Sequence, residues 1–528
     1  MPLSPANTDI ILAGPGVGKT TELLRRIEEA LAKGVDPTEI AFFSFSTTAV
    51  NEGLDRITRN KKYTKMQFKY FKTLHAMALH ILGFNSKQIM SVGMKFKFAS
   101  EANLKLAPVT NFYSGRRTPT PDDALLDNID SARQRNMSVR DYWIANHIDE
   151  PSAAYAEQIA DLYQKFKIAN GVIDFTDMIC LANNSEWDPP YFKYMFIDEA
   201  QDLSTQQWIF VEKLIKHTKK IVIVGDEKQA IAGYAGADPD YFLNIKGNIH
   251  VLDQSYRVPE NIYRLARKVE RKMIRTNNVK WKPRPLEAGE TIAGEIIRIK
   301  DLPIREMRIG KWLLLTRTNL QLANFKDFMF RYCDDIAAAF TIDGKPPIDT
   351  DVFKAIDIFE IMKVDPRASK FDFIENASAD APDRRNKKYT FIKMLKKFIS
   401  SEDPYSTRLD KAFLHRFSYV DWIEAFDKIP YMEKKYIAHI LQPYKKNPKL
   451  FDNPNIKLST IHSAKGTEAD NVILFNVISN QVYDAWLQDK ETRDDELKVL
   501  FVAITRARKR LYLLTPETKQ HTFGDILE

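Results

Sequence analysis

The stretch Ala13-Gly14-Pro15-Gly16-Val17-Gly18-Lys19-Thr20 (AGPGVGKT) follows the apolar run Ile10 to Leu12 and precedes the amphipathic stretch Glu22 to Leu31. That order is strand, phosphate loop, helix. A triphosphate is cradled by backbone N–H groups, which converge only where glycines let the chain curl tightly. Gly14, Gly16 and Gly18 supply the curl. Lys19 is placed to reach the β- and γ-phosphates as a point charge, and the Thr20 hydroxyl to complete the shell of a Mg²⁺ ion. The strict pattern G-x-x-x-x-G-K-[ST] is missed by one residue, because Ala13 stands at its first glycine. The segment reads as the phosphate site of a nucleoside triphosphatase.

Two further apolar runs end in chemistry. Met195 to Ile197 delivers Asp198-Glu199-Ala200-Gln201-Asp202. A carboxylate at the end of a buried strand suits a Mg²⁺ ion, so Asp198 is expected to take the metal and Glu199 to orient and deprotonate an attacking water. Ile221 to Val224 runs into Gly225-Asp226-Glu227-Lys228-Gln229 and then the small-residue turn Gly233-Tyr234-Ala235-Gly236-Ala237. Gln229, just past a core strand, can sense a γ-phosphate by hydrogen bonding and pass its presence on.

Composition sets the frame. The 528 residues are enough for three or four domains of roughly 100–200 residues each. A hydrophobic fraction of 44% with 28% charged residues belongs to a globular chain, and no run approaches the roughly 18 apolar residues of a membrane span. The start, MPLSPANTD, lacks a basic region followed by an apolar core, so no secretory signal is expected. Two cysteines, Cys180 and Cys333, cannot build a disulfide framework or a four-ligand zinc site, which fits a reducing cytoplasm. The net charge of +8 points mildly to a polyanionic partner. Between Asp380 and Leu450, 16 Lys and Arg stand against 9 Asp and Glu, an excess of +7. The aromatics of that stretch, among them Phe398, Trp422 and Tyr436, are spaced as core-facing helical positions.

Taken together and in order, these segments resemble the motifs of UvrD/Rep-type superfamily 1 DNA helicases. AGPGVGKT is similar to motif I, SFSTTA (44–49) to motif Ia, TLHAMA (73–78) to motif Ib and DFTDMI (174–179) to the segment before motif II. DEAQD resembles motif II, VGDEKQAIAGYAGA motif III, LDQSYR (252–257) motif IV, and LLTRTN (314–319) the strand-turn that follows. LSTIHSAKGTEADNVILF (458–475) resembles motif V and LFVAITRARKRLYLL (500–514) motif VI. The resemblance implies an ATP-hydrolysing, Mg²⁺-dependent DNA helicase with two RecA-like α/β domains of parallel sheet, each carrying a mostly helical insertion. It implies that Tyr256 stacks on the adenine, that Arg257 and Arg506 reach the γ-phosphate with Arg506 as the finger, and that Glu468 contacts the nucleotide. Gln229 would be the γ-phosphate sensor, and Thr460 and His462 would link motif V to the strand and to motif III. Phe45, Thr73, His75 and Tyr234 fall where the family grips single-stranded DNA, through phosphate contacts and base stacking worth about 1–3 kcal/mol per base.

The sequence also departs from the family. No glutamine precedes Ala13 to read the adenine edge, and Thr21 stands where many members have an arginine against the base. Ala232 and Ala235 replace a common tyrosine and arginine near the DNA. Relaxed base choice and a looser strand grip are therefore expected. Lys19 and Asp198 should lie on adjoining strand ends, yet 179 positions separate them, more than one crossover needs. An insertion is expected over 84–164 (1B-like), within a RecA-like domain 1A of 1–83 and 165–250. A second RecA-like domain 2A, 251–334 and 452–528, would hold the basic insertion 335–451 (2B-like). Both insertions are short for the family, and the loop 371–386 is expected to be flexible.

The expected function is ATP-dependent translocation on single-stranded DNA, 3′→5′, coupled to unwinding at single/double-strand junctions in replication, repair or recombination. The expected protein is a soluble, cytoplasmic monomer without a membrane or nuclease partner domain. Two alternatives stand beside it: a translocase that strips proteins from single strands with little unwinding, and a non-catalytic DNA-binding scaffold, which the intact set Lys19, Thr20, Asp198, Glu199, Gln229, Arg257 and Arg506 argues against.

Overall fold

The structure is a computed structural model. It describes residues 7–59, 61–107, 120–233, 236–274, 279–286, 290, 293–336, 338–364, 397–399, 420–488, 490–517 and 521–524. Tyr234, Ala235, the loop 371–386 and much of the basic stretch 380–450 lie outside the described residues. The chain divides into two compact units. The first comprises Met1–Val109, Arg117–Asp301 and Ile461–Glu528, and the second Thr110–Arg116 and Leu302–Thr460.

The first unit is built on six parallel strands in the order β3-β2-β4-β5-β1-β6. These are β1 (Thr8–Ala13), β2 (Ile40–Phe43), β3 (Tyr70–Lys72), β4 (Phe192–Ile197), β5 (Thr218–Gly225) and β6 (Asn248–Leu252). Strands buried on both faces read as continuous apolar runs, and IAFF of β2 and MFI of β4 do so. Register sets the site: β1 lies against β5 with Leu12 opposite Gly225, and β4 against β5 with Ile197 opposite Ile223. The carboxyl ends of β1, β4 and β5 therefore open at one edge, where ligands of open parallel sheets bind.

Helices cover both faces. α1 (Lys19–Ala32) and α2 (Thr47–Ile57) bury Leu23, Leu24, Ile27 and Val50 with Phe42, Phe196 and Val224 in one core. α3 (Leu74–Leu82), α8 (Phe175–Asn184) and α9 (Thr205–Ile215) bury Met77, Met178 and Trp208 with Phe192, Met195 and Ile223 in the other. Side-chain caps start these helices where the sequence offers them: Ser46 before α2, Thr73 before α3, Asp174 before α8 and Ser204 before α9.

Between α3 and α8 stand α4 (Val92–Glu101), α5 (Pro121–Gln134), α6 (Val139–Ala145) and α7 (Ala153–Asn170). They form a helical layer with its own core of Phe98, Leu125, Ile129, Trp143 and Ile159. Buried charges tie this layer to α8. Arg133 and Lys167 both pair with Asp174, the α8 cap, and with Asp177.

α10 (Pro239–Asn244) precedes β6, and after β6 the first unit continues with α11 (Glu260–Glu270) and β7 (Glu295–Ile299). It closes with β11 (Ala469–Phe475), the helix Lys490–Ile504 and β12 (Ala507–Leu514). Here β12 runs parallel between β11 and β7, with Leu511 opposite both Val472 and Ile296.

The second unit has three parallel strands of its own, β8 (Trp312–Thr316), β10 (Ile456–Thr460) and β9 (Phe340–Ile342), with β10 central. α12 (Asn319–Arg331), α13 (Cys333–Ile336), α14 (Asp351–Val364) and the helix Tyr431–Lys446 accompany them. Phe398, Trp422 and Tyr436 are buried as their spacing implies, with the Tyr436 ring tilted against those of Phe330 and Phe340. Both units are thus parallel-sheet α/β structures rich in helices. Among the described residues no helix is long and apolar enough to cross a membrane, and the two cysteines are free thiols.

Candidate nucleotide site

The phosphate loop takes the shape its glycines permit. Gly16 and Gly18 have φ of 68° and 82°, the left-handed region that side chains disfavour, and Gly18 caps α1. A Cβ at Gly16 would lie 2.4 Å from Arg257 Cβ. The loop is fastened from outside its own strand: the Ser255 hydroxyl donates to Pro15 O at 2.8 Å, and the Tyr256 N–H donates to Gly16 O at 2.8 Å. Ser255-Tyr256-Arg257 is thereby carried to the loop.

Two strand ends meet at the start of α1. The Thr20 hydroxyl donates to Asp198 Oδ2 at 2.7 Å. Asp198 is 1% exposed; burial and the neighbouring Glu199 push its carboxyl up to about 6, against the Thr20 hydrogen bond and Lys19, which lower it. A hydroxyl and a carboxylate short of positive charge are the donor set expected for Mg²⁺. Among the described residues no cluster of three or more His, Cys, Asp or Glu could hold a metal. A cation here would therefore rest on Thr20, Asp198 and the nucleotide's own phosphates.

Glu199 is different. Its φ of 53° is left-handed for a residue with a side chain, a strain of the kind found at functional sites. Burial would raise its carboxyl, but Lys19, Lys465, the Gln201 hydrogen bond and Arg506 together hold it down at about 2. It is an ionised carboxylate among cations. Gln201 Nε2 donates to Glu199 Oε2 at 2.6 Å while Gln201 Oε1 accepts the Asp226 N–H at 2.9 Å, so one amide ties β4's end to β5's.

On the other side, Arg506 is 1% exposed and donates through Nη2 to Gln229 Oε1 at 2.7 Å. Its Nε donates to Val502 O at 3.0 Å, so the helix that precedes it also aims it. Burial and the nearby Arg257 bring its guanidinium down to about 9. Gln229 in turn donates to Asp226. Arg257 pairs with Glu468, which also accepts from Arg508. Lys465 pairs with Asp202 and donates to Gln229 O at 2.6 Å. Burial and Glu199 push Asp202 up to about 6, against Lys465.

The structure thus brings together Ala13 to Thr21, Asp198, Glu199, Gln229, Tyr256, Arg257, Glu468 and Arg506 within the first unit. Tyr256 is 64% exposed beside the loop, an aromatic face with nothing stacked on it among the described residues. Thr21, where the family often has an arginine, accepts from Arg56 Nη1 of α2 at 3.3 Å. Sequence reading missed Arg56, and it missed Lys465, Gln201 and Asp202 as partners of the acids.

The candidate strand-binding residues are more scattered. Phe45 is 46% exposed after β2. The Thr73 hydroxyl accepts the Ala76 N–H as the cap of α3, and His75, lowered by burial, meets the exposed ring of Phe175 edge-on at 5.7 Å. His462 opens the turn whose carbonyl accepts the Lys465 N–H. Thr460 ends β10 in the second unit, its N–H donating to Asp343 Oδ1 at 3.3 Å.

Two family models match the chain. Residues 2–250 match the UvrD/REP helicase N-terminal domain, and residues 366–518 the UvrD-like helicase C-terminal domain. Similar proteins include the ATP-dependent DNA helicase PcrA of Leuconostoc citreum, 26% identical over 357 residues covering 61% of this chain and 46% of that protein. PcrA of Bacillus subtilis is 23% identical over 611 aligned positions, covering 96% of this chain and 80% of that protein. A probable DNA helicase II homologue of Mycoplasma genitalium is 22% identical, covering 96% and 82%. The chain thus spans less than half the length of the Leuconostoc relative and about four fifths of the other two.

Proposed function

The chain belongs to the UvrD/REP helicase family, and from that premise we propose that it is an ATP-hydrolysing motor that moves along single-stranded DNA from 3′ to 5′ and opens duplexes at junctions. The observation that carries the chemistry is the Arg506–Gln229 hydrogen bond set beside Glu199 and the Thr20–Asp198 pair. Bound Mg²⁺ would supply charge neutralisation of the phosphates, with Thr20 and Asp198 holding it. Glu199, ionised and fixed by Gln201, orients the attacking water and accepts its proton. Lys19 binds the terminal phosphates. Arg506 stabilises charge on the transferring phosphoryl oxygens, worth roughly 10³–10⁵ in rate in analogous systems. Gln229 senses the γ-phosphate, and because it bonds Arg506 directly, loss of that phosphate loosens the contact between the two elements. Tyr256 offers its exposed face to the base.

On this reading residues 1–83 and 165–250 form RecA-like domain 1A with the 84–164 insertion, and 251–334 with 452–528 form 2A with the 335–451 insertion. Phe45, Thr73, His75, Tyr234, Thr460 and His462 hold the strand. The protein acts as a monomer on DNA in replication, repair or recombination. Duplexes with a 3′ or a 5′ single-stranded tail, offered with Mg-ATP, test the proposal: the 3′-tailed substrate opens and the 5′-tailed one does not. ATP hydrolysis with removal of a bound protein but no opening of either duplex would favour the stripping translocase.

A further inference from the structure

Trp281 belongs to none of the motifs, yet it is the side chain on which the phosphate loop rests. It is 1% exposed. A Cβ built at Gly14 would lie 2.8 Å from Trp281 Cβ and 2.9 Å from its Cγ. Gly14 has no left-handed φ to demand a glycine, so the indole is the reason for one there. Tyr263 meets the ring edge-on at 4.7 Å and 89°. The indole is clamped, and a shift of the loop at Gly14 must press on it.

From Trp281 two short routes lead to the Gln229–Arg506 pair. The first is polar: indole Nε1 donates to Glu270 Oε2 at 3.2 Å, and Glu270 Oε1 lies 3.5 Å from Lys228 Nζ. Lys228 is 1% exposed, donates to Val279 O at 3.2 Å, and immediately precedes Gln229. The second is apolar: the ring meets Phe501 edge-on at 6.2 Å. Phe501 O accepts the Thr505 N–H at 3.1 Å and the Thr505 hydroxyl at 2.8 Å, and Arg506 follows directly. Rigid, fully packed contacts transmit displacement because interiors are close-packed. Both routes end on the two partners of one hydrogen bond.

We infer that Trp281 is a positioning residue that couples occupancy of the phosphate loop to the alignment of Gln229 with Arg506. The inference rests on the nucleotide site proposed above. Phosphates drawn into the loop shift Gly14 against the indole, and the indole adjusts Lys228 through Glu270 and the end of the Lys490–Ile504 helix through Phe501.

The test uses the full chain and two variants. Trp281→Phe keeps a ring against Gly14 and Phe501 but cannot donate to Glu270. Glu270→Gln leaves the ring in place and removes the charge facing Lys228. Measured with saturating single-stranded DNA, Trp281→Phe is expected to lower kcat about tenfold, as for reacting groups held out of line, with KM for ATP within about twofold. Glu270→Gln should act in the same direction. Adding ADP or a non-hydrolysable ATP analogue should change the tryptophan fluorescence of the parent, and Trp281→Phe should lose that change. If Trp281→Phe folds poorly, Glu270→Gln carries the kinetic test. Parental kcat in both variants, or a fall in kcat matched by an equal loss of nucleotide affinity and of Tm, overturns the inference. A parent with no DNA-stimulated hydrolysis would instead sink the proposed function, so the two failures are distinguishable.

Discussion

Arg506 and Gln229 share a hydrogen bond of 2.7 Å in which the guanidinium donates to the amide oxygen, with Arg506 buried and its Nε fixed to Val502 O. A lysine cannot donate to Gln229 and to the Val502 and Thr467 carbonyls from one planar fork. Arg506→Lys should therefore lower DNA-stimulated kcat by about 10³ while nucleotide binding survives. Steady-state kinetics with an independent nucleotide Kd checks this. Retention of a tenth or more of the parental kcat would remove Arg506 from the reaction.

Glu199→Gln deletes the ionised carboxylate and leaves the phosphate cradle intact. Turnover should fall by about 10²–10⁴, the usual contribution of a positioned general base, with nucleotide and DNA affinity kept. Lys19→Ala should weaken nucleotide binding as well. Hydrolysis by Glu199→Gln within a few fold of the parent would assign the base elsewhere.

The raised carboxyl of Asp198 gives the site a pH dependence. Its pKa near 6 in the folded protein lies above the ordinary value of 3.8, so the folded state takes up a proton that the unfolded chain does not between those limits. Stability from this group therefore falls as pH rises from about 4 to about 6, and at neutral pH the buried charge is a burden. A cation needs the ionised form. Below pH 6 the Mg²⁺ concentration for half-maximal hydrolysis should climb about tenfold per pH unit. Asp198→Asn should raise the Tm of the ligand-free protein at neutral pH while abolishing turnover. A flat Mg²⁺ requirement between pH 5 and 7 would contradict the assignment.

Base choice is the fourth expectation. Tyr256 presents a π-face that every base can use, and Thr21 stands where an arginine could lie against the base. GTP and CTP should partly replace ATP. Arg56, bonded to Thr21, is the cation at hand on α2, and Arg56→Ala should raise KM for all four triphosphates alike. Edge-reading sites can discriminate by roughly 10⁴, so a preference for ATP above about a hundredfold in kcat/KM would show that some group does read adenine.

Much of the site was legible because each apolar strand run ends in its chemistry: Ile10 to Leu12 in the glycine loop, Met195 to Ile197 in Asp198 and Glu199, Ile221 to Val224 in the segment leading to Gln229. Such runs predict parallel strands, and strand ends predict ligand sites. The order of segments up to Arg506 fixed the rest of the family pattern. What sequence reading missed has no local signal. Trp281 and Glu270 matter through contacts with Gly14 and Lys228 that no spacing announces, and Lys465 meets Asp202 from 263 positions away in the sequence. Charge was legible in the 380–450 segment, and a second basic stretch, Arg56 to Ser100, holds ten Lys and Arg with no Asp or Glu, a larger excess.

The central claim is that hydrolysis at this site is driven by a single strand. ATP hydrolysis by the full chain, measured with Mg²⁺ alone and then with saturating single-stranded DNA, duplex DNA or RNA of equal length, tests it most directly. Single-stranded DNA should raise kcat tenfold or more, a fraction of the roughly 10³–10⁵ that a well-aligned arginine contributes in analogous systems, and blunt duplex should raise it far less. Equal rates with and without single-stranded DNA, in a protein that binds both ATP and DNA, would contradict the motor.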